Sequence, residues 1–199
     1  VGSTAHGLNL PGQDDRDEMG ICIEPPEYVI GLKRFEQWTH RTQPEGVRSG
    51  PGDLDATVYS LRKWARLALN GNPTVLTLLF VPRLMEAVIG LSCIRFASIT
   101  VETLWGGRLR ELAPAFVSKR AGRAFLGYLT AQKERLTGDR GQKRTKREDL
   151  VCQWGYDTKY AGHAFRLGCQ GVELLETGRV PLPMPEPWRG AALAIPQGK

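Results

Sequence analysis

At 199 residues, with 41% apolar and 24% charged side chains, the chain is long enough for one globular core with a helical extension. No apolar run approaches the roughly 18 residues that a membrane helix needs, and the four cysteines form no CxxC pair, which argues against a zinc ribbon. The net charge of +6 is unevenly placed: Lys119 to Arg147 carries ten Lys or Arg against two acids, leaving 17 against 19 elsewhere. A basic block therefore faces a slightly acidic body, which reads either as a solvated loop or as a contact for a polyanion through counterion release.

The first twenty residues are polar and acidic and show no signal-peptide pattern. The start on Val1 suggests a trimmed chain, and the cysteines are read as buried thiols in a reducing cytoplasm. After an acidic cluster at Asp14 to Glu18, "ICI" predicts a short strand that "EPP" ends, because proline cannot donate to a ladder. "RTQPEGVRSGPGDLD" predicts a loop and "DATVY" a second strand, with β-branched Thr57 and Val58.

Ser60 then stands as an N-cap. Leu61, Trp64, Ala65, Ala68 and Leu69 recur at helical spacing, which predicts an amphipathic helix. Asn72 caps the next helix, with Pro73 at its first position, where a missing N–H costs nothing. The near-continuous apolar run from Val75 to Phe80 marks that helix as buried. From Arg83 to Pro114 the signal is mixed, with helix favoured. A helix over Phe116 to Leu136 is interrupted by Gly122 and Gly127, "TGDRGQKRTKRED" breaks the chain, and Asp157 to Thr177 forms another helix. The segment around Pro181, Pro183, Pro185 and Pro187 is expected to be extended. Strands first and helices later predict an α+β fold rather than an alternating parallel sheet.

The chemistry concentrates at the start. Asp15 and Asp17, two apart on a strand, would point to one face. Such a pair repels itself unless a cation lies between. Mg²⁺ accepts hard oxygen ligands and uses one or two carboxylates with substrate phosphates. Gly2 and Ser3, just upstream, offer turn amides and a hydroxyl for phosphate oxygens. The combination predicts a site for a nucleoside triphosphate with metal. Further along, Lys159, His163, Arg166 and Gln170 are spaced 4, 3 and 4 and form one stripe of a helix. No P-loop, GxSxG elbow or Cys-His signature is present.

"GSTAHGLNLPGQDDRD" resembles the GS…DxD signature of the DNA polymerase beta-like nucleotidyltransferase superfamily, and within it the bacterial and phage "predicted nucleotidyltransferase" branch. Gly2, Ser3, Ala5, Gly7, Leu8, Pro11, Asp15, Asp17 and Gly20 fit that branch if one residue is inserted before Asp15. Without the insertion Asp14 would pair with Arg16, which cannot bind metal, so Asp14 takes the branch's usual Ser position. "DATVYSLRKWARLALNGNPTVLTLLF", "FVSKRAGRAFLGYLTAQ" and "KYAGHAFRLGCQGVELLETG" resemble three further blocks of the branch in order, so the likeness covers most of the chain. Of the apolar strand that the superfamily places before Gly-Ser, only Val1 is present, and the basic family terminus is looser here.

The resemblance implies a small mixed β-sheet nucleotidyltransferase core of the polymerase beta-like palm type at 1–82. A helical region at 83–180 would complete the cleft, and an extended Pro-rich tail would follow at 181–199. It implies a third carboxylate on a neighbouring strand, Asp55 in preference to Asp53, which completes a site for two Mg²⁺ or Mn²⁺ ions and helps activate the attacking hydroxyl. The implied reaction moves a nucleoside monophosphate from an NTP to an acceptor hydroxyl with release of pyrophosphate. Gly2, Ser3, Lys119, Lys159, His163 and Arg166 would hold the triphosphate, with Lys63 a further candidate. His6 and His40 are given no role. The basic segment 119–147 favours RNA as acceptor. A protein AMP-transferase of antitoxin type and a non-catalytic nucleic-acid-binding module are the competing readings. The expected setting is cytoplasmic, without a membrane partner.

Overall fold

The computed structural model describes residues 2–9, 16–45, 47, 49–50, 52–82, 103–139 and 147–198. In chain order these form α1 (Gly2–His6), β1 (Arg16–Cys22), α2 (Pro26–Val29), β2 (Gln37–Arg41), β3 (Leu54–Ser60), α3 (Leu61–Leu69) and α4 (Pro73–Leu76). There follow α5 (Leu104–Glu111), α6 (Ala113–Phe116), α7 (Lys119–Thr137), α8 (Glu148–Trp154), α9 (Thr158–Thr177) and α10 (Trp188–Ala194). The fold is the expected α+β type: a three-stranded mixed sheet of order β1-β3-β2, with helices following it. β1 and β3 are parallel, and β2 pairs antiparallel with β3.

β1 begins earlier than the apolar run predicts, because its acidic first half is an exposed stretch of strand. β2 escapes sequence reading altogether. "QWTHR" is exposed at every position, so it lacks the in–out alternation that betrays a strand. Its place is set by pairing with β3 rather than by its own residues.

The helical core grows from two caps. The Ser60 hydroxyl accepts from the Lys63 amide at 3.1 Å, and the Asn72 side chain accepts from Thr74 at 3.0 Å while Pro73 opens α4. Between them Trp64 is fully buried, its indole N–H donating to the Val75 carbonyl at 3.1 Å. Phe116 meets that indole edge to face. Leu69, predicted on the apolar face, is instead exposed, because α3 has run past the core by its last residue.

The helix predicted over Phe116 to Leu136 is divided. Phe116 ends α6, and Ser118 caps α7 by accepting from Ala121. Gly122 does not interrupt α7. A Cβ there would crowd Leu175 of α9, and one on Gly171 of α9 would press Phe125 at 3.2 Å. The two glycines let the long helices approach closely, which fixes α9 against the rest of the core. α9 matches its prediction, with Asp157 as its N-cap.

The proline segment 181–187 forms no helix or strand, as read, with Val180 and Met184 buried, but the chain beyond it is not extended: α10 follows, burying Ala192 and setting Trp188 edge to face with Phe165. Between Pro187 and Pro196 no proline interrupts the chain, so a short helix forms there. The reading of all cysteines as buried is also corrected: Cys152 is exposed, and Cys22 and Cys169 are partly buried. Residues 83–102, Cys93 and the basic stretch 140–146 lie outside the described residues.

Candidate active site

The parallel register of β1 and β3 sets Asp17 beside Asp55. Neighbouring strands lie about 4.8 Å apart, and aligned residues of a parallel pair share a face. Met19, Ile21 and Tyr59 lie on that same face by alternation and pack against the helical core. Asp17 and Asp55 thus start the face that the helices cover. Asp15, two residues earlier, lies outside the described residues.

Gly2 lies against Asp17. Its backbone is left-handed, at φ 72°, and a Cβ at this position would overlap the Asp17 carboxylate. Only glycine satisfies both conditions. The Ser3 hydroxyl beside it has no hydrogen bond among the described residues, while the Ser3 carbonyl accepts from the Leu8 amide at 2.9 Å. The turn therefore presents a glycine cradle and an uncommitted hydroxyl next to a carboxylate.

Asp55 is held from the opposite edge. Arg41, its register partner on β2, brings Nε within 2.6 Å of Oδ1. Ser49 donates at 2.8 Å and Gln43 at 3.0 Å. The Arg41 hydrogen bond, aided by Ser49 and Gln43 and opposed by partial burial, holds the Asp55 carboxyl below its ordinary range. Asp53 is occupied differently. Its carboxylate accepts from the Gly50 amide at 2.8 Å and the Thr42 hydroxyl at 3.0 Å, closing the turn before β3.

Among the described residues no group of three or more His, Cys, Asp or Glu is gathered to hold a metal. The donors that do come together, Asp17 and Asp55, are both carboxylates. That chemistry fits Mg²⁺ or Mn²⁺ rather than a softer metal.

Sequence reasoning gave His6 no role, yet it is the joint between the sheet and α9. The ring is 5% exposed. Arg166 Nη1 donates to His6 Nε2 at 2.6 Å, and the Gln170 side-chain amide lies 2.9 Å from Nδ1. Burial, followed by the nearby Arg166 charge, lowers the His6 pKa to about 2, so the ring is neutral. Gly2 and His6 are one helical turn apart, about 6 Å along the axis of α1. One short helix therefore touches Asp17 at one end and Arg166 at the other.

The predicted stripe on α9 is split by depth. Gln170 is buried and Arg166 partly so, whereas Lys159 and His163 are exposed. Partial burial of the His163 ring, then the charges of Arg166, Lys159 and Arg147, lower its pKa to about 4. These cations share one neighbourhood. Arg147, the last residue of the basic segment, pairs with Asp157 at 2.9 Å and lies over the Tyr160 ring. Arg166 has no acidic partner among the described residues, and burial lowers its pKa to about 10.

Other candidates stand apart. Lys119 is exposed at the start of α7 and makes no hydrogen bond or ion pair among the described residues. Lys63 is committed to β2, donating to Gln37 at 2.7 Å. An apolar groove of about 670 Å³, lined by Leu129, Phe165 and Trp188 among others, lies on another flank of α9 and contains neither aspartate. The signal for Arg41 was absent from the sequence because β2 itself was unreadable there.

No helix among the described residues is long and apolar enough to cross a membrane. No curated protein matches the chain, and no solved structure does. Residues 1–193 match the family model RlaP, described as the RNA repair pathway DNA polymerase beta family. A match of that extent, over a mixed sheet that carries its aspartates beside a Gly-Ser turn, identifies the chain as a member of the RNA repair pathway DNA polymerase beta family, within the polymerase beta-like nucleotidyltransferase superfamily, and so points to nucleotidyl transfer.

Proposed function

We propose that the protein is a metal-dependent nucleotidyltransferase that moves a nucleoside monophosphate from an NTP to an acceptor hydroxyl, with RNA as the acceptor. The observation that carries this reading is the juxtaposition of Gly2, Asp17 and Asp55 at one end of the sheet. Asp15, Asp17 and Asp55 would hold Mg²⁺ or Mn²⁺. When bound, the ions supply charge stabilisation for the attacking and leaving oxygens.

The chain's own residues account for the rest. The acceptor oxygen bonds to the α-phosphorus, the bond to the bridging oxygen breaks, and pyrophosphate leaves with the electron pair. Asp55, with its carboxyl held below the ordinary range, is a better cation ligand than proton acceptor. The hydroxyl proton therefore leaves to solvent. The Ser3 hydroxyl and the nearby amides face the phosphate chain, and Arg166 and Lys159 supply positive charge from α9, where the His163 ring, its pKa lowered to about 4, offers a neutral hydrogen-bonding group. Lys119 contributes at longer range. Catalysis is then mainly positioning and electrostatics. The basic segment ends at Arg147 beside the start of α9, which supports a path for an RNA strand toward the site. The free cysteines, one of them exposed, suit a reducing cytoplasmic setting.

Incubation with α-³²P-labelled and γ-³²P-labelled NTPs, Mg²⁺, and either RNA or cell extract tests the proposal. The expected result is α-label in RNA, γ-label only in pyrophosphate, and loss of both in Asp17→Asn. Label in protein would move the acceptor to a polypeptide hydroxyl. Salt-sensitive RNA binding without transfer would establish the binding-module reading instead.

A further inference from the structure

A cation pressed into a folded chain without an acid is costly. Taking the charge out of water is offset only when an opposite charge or several acceptors replace the lost hydration. Arg166 has only neutral partners among the described residues, the His6 ring and the Gln170 amide. An anion would replace the hydration it has lost, and the Gly2–Ser3 turn lies at the other end of the helix whose His6 it contacts.

We infer that His6 is a positioning residue: its ring nitrogen holds the Arg166 guanidinium toward the phosphate chain of a nucleotide seated at the Gly2–Ser3 turn. The inference rests on the nucleotide reading above. Its chemistry is fixed by donor counting. A guanidinium only donates, so His6 Nε2 must accept, and the neutral ring carries its proton on Nδ1. That N–H needs an acceptor, so the Gln170 amide, whose Nε2 lies 2.9 Å from Nδ1, must be flipped to bring its oxygen there, which gives up the long 3.4 Å contact from Arg166 and leaves His6 as the acceptor for Arg166. A protonated ring would have no acceptor left for Arg166 and would repel it. His6 is also tied from behind, because its carbonyl accepts from the Met184 amide at 3.0 Å. That bond fixes the backbone from which the ring projects. α1 thus carries the phosphate turn at one end and the contact to Arg166 at the other.

The test measures binding of ATP and of inorganic tripolyphosphate to the full chain by calorimetry, so that transfer activity is not needed. The wild type is expected to bind both. His6→Phe, which keeps a ring but no acceptor, and Arg166→Gln should each weaken binding about tenfold or more. The double variant should be no weaker than Arg166→Gln alone, because both act through one contact. His6→Gln, which restores an acceptor oxygen near the Nε2 position, should recover most of the affinity. Full affinity in a folded His6→Phe, or additive losses in the double variant, overturns the positioning role alone. No binding of either ligand by the wild type overturns the nucleotide reading and this inference together. Nitrogen-15 NMR of the unmodified protein gives a second check independent of any variant. A neutral Nδ1–H tautomer for His6 from pH 8 down to 5 is expected, and an Nε2–H tautomer or a protonated ring overturns the inference.

Discussion

The carboxylate end of the sheet and the cationic face of α9 treat charge in opposite ways. On the sheet, Asp55 has a guanidinium, a hydroxyl and an amide on its oxygens. On α9, Arg166 is desolvated with only neutral partners among the described residues. The sheet holds its acid in place with a cation of its own, whereas the helix keeps a cation whose counter-ion is not an acidic side chain of the described chain. If the proposed nucleotide binds here, its anionic chain would gain most beside Arg166, on the α9 side of α1.

The sharpest way to break this comparison is to remove charge from the sheet. Asp17→Asn is expected to cut nucleotidyl transfer on the order of 10³-fold, since several kcal/mol of charge stabilisation would be lost. Asp55→Asn should act similarly, measured as initial rates of label transfer. Asp53→Asn should lose far less rate, because that carboxylate closes a turn.

Next in size is the joint between the two regions. Gly2→Ala introduces a Cβ into the space of the Asp17 carboxylate on left-handed backbone. It is expected to lower kcat about 100-fold through misplacement of the carboxylate, with a stability cost of about 1–2 kcal/mol. A kcat near that of the wild type would show that the turn and Asp17 are not one site.

Acid sharpens the comparison through His6. The folded ring has its pKa at about 2 against an ordinary 6.5. Below pH 6.5 the unfolded chain takes up a proton that the folded chain refuses. The stability from the neutral ring is therefore complete above pH 6.5 and declines as pH falls toward 2. From pH 6.5 to 5.0 the wild type should lose about 1.5 kcal/mol more than His6→Phe, read from urea unfolding at each pH. Above about pH 5 the carboxylates stay largely ionised in both states, and the contribution of His163 is common to both proteins, so the difference between wild type and variant isolates the His6 ring. Smallest of all, Ser60→Ala should cost about 1 kcal/mol by loss of the α3 cap, without changing nucleotide affinity.

What was legible in the sequence follows the range of the interaction. Ser60, Asn72 with Pro73, and Asp157 announce their helices because a cap acts on amides two or three residues away. β3 was readable from its β-branched run. β2 was not, because every side chain on it is exposed and its partner is given only by the folded sheet. Arg41 beside Asp55 was hidden for the same reason. His6 was invisible as a joint because its partner Arg166 lies 160 residues along the chain. The four residues of the α9 stripe share a helical spacing, but depth divides them, and depth depends on what α7 and α1 cover.

The most direct test of the central claim is crystallographic. Crystals grown with Mn²⁺ and a non-hydrolysable NTP analogue should show anomalous density at the Asp17 and Asp55 carboxylates, with the phosphate chain between them and the Gly2–Ser3 turn. A nucleotide bound elsewhere, or manganese that avoids both aspartates, would contradict the account.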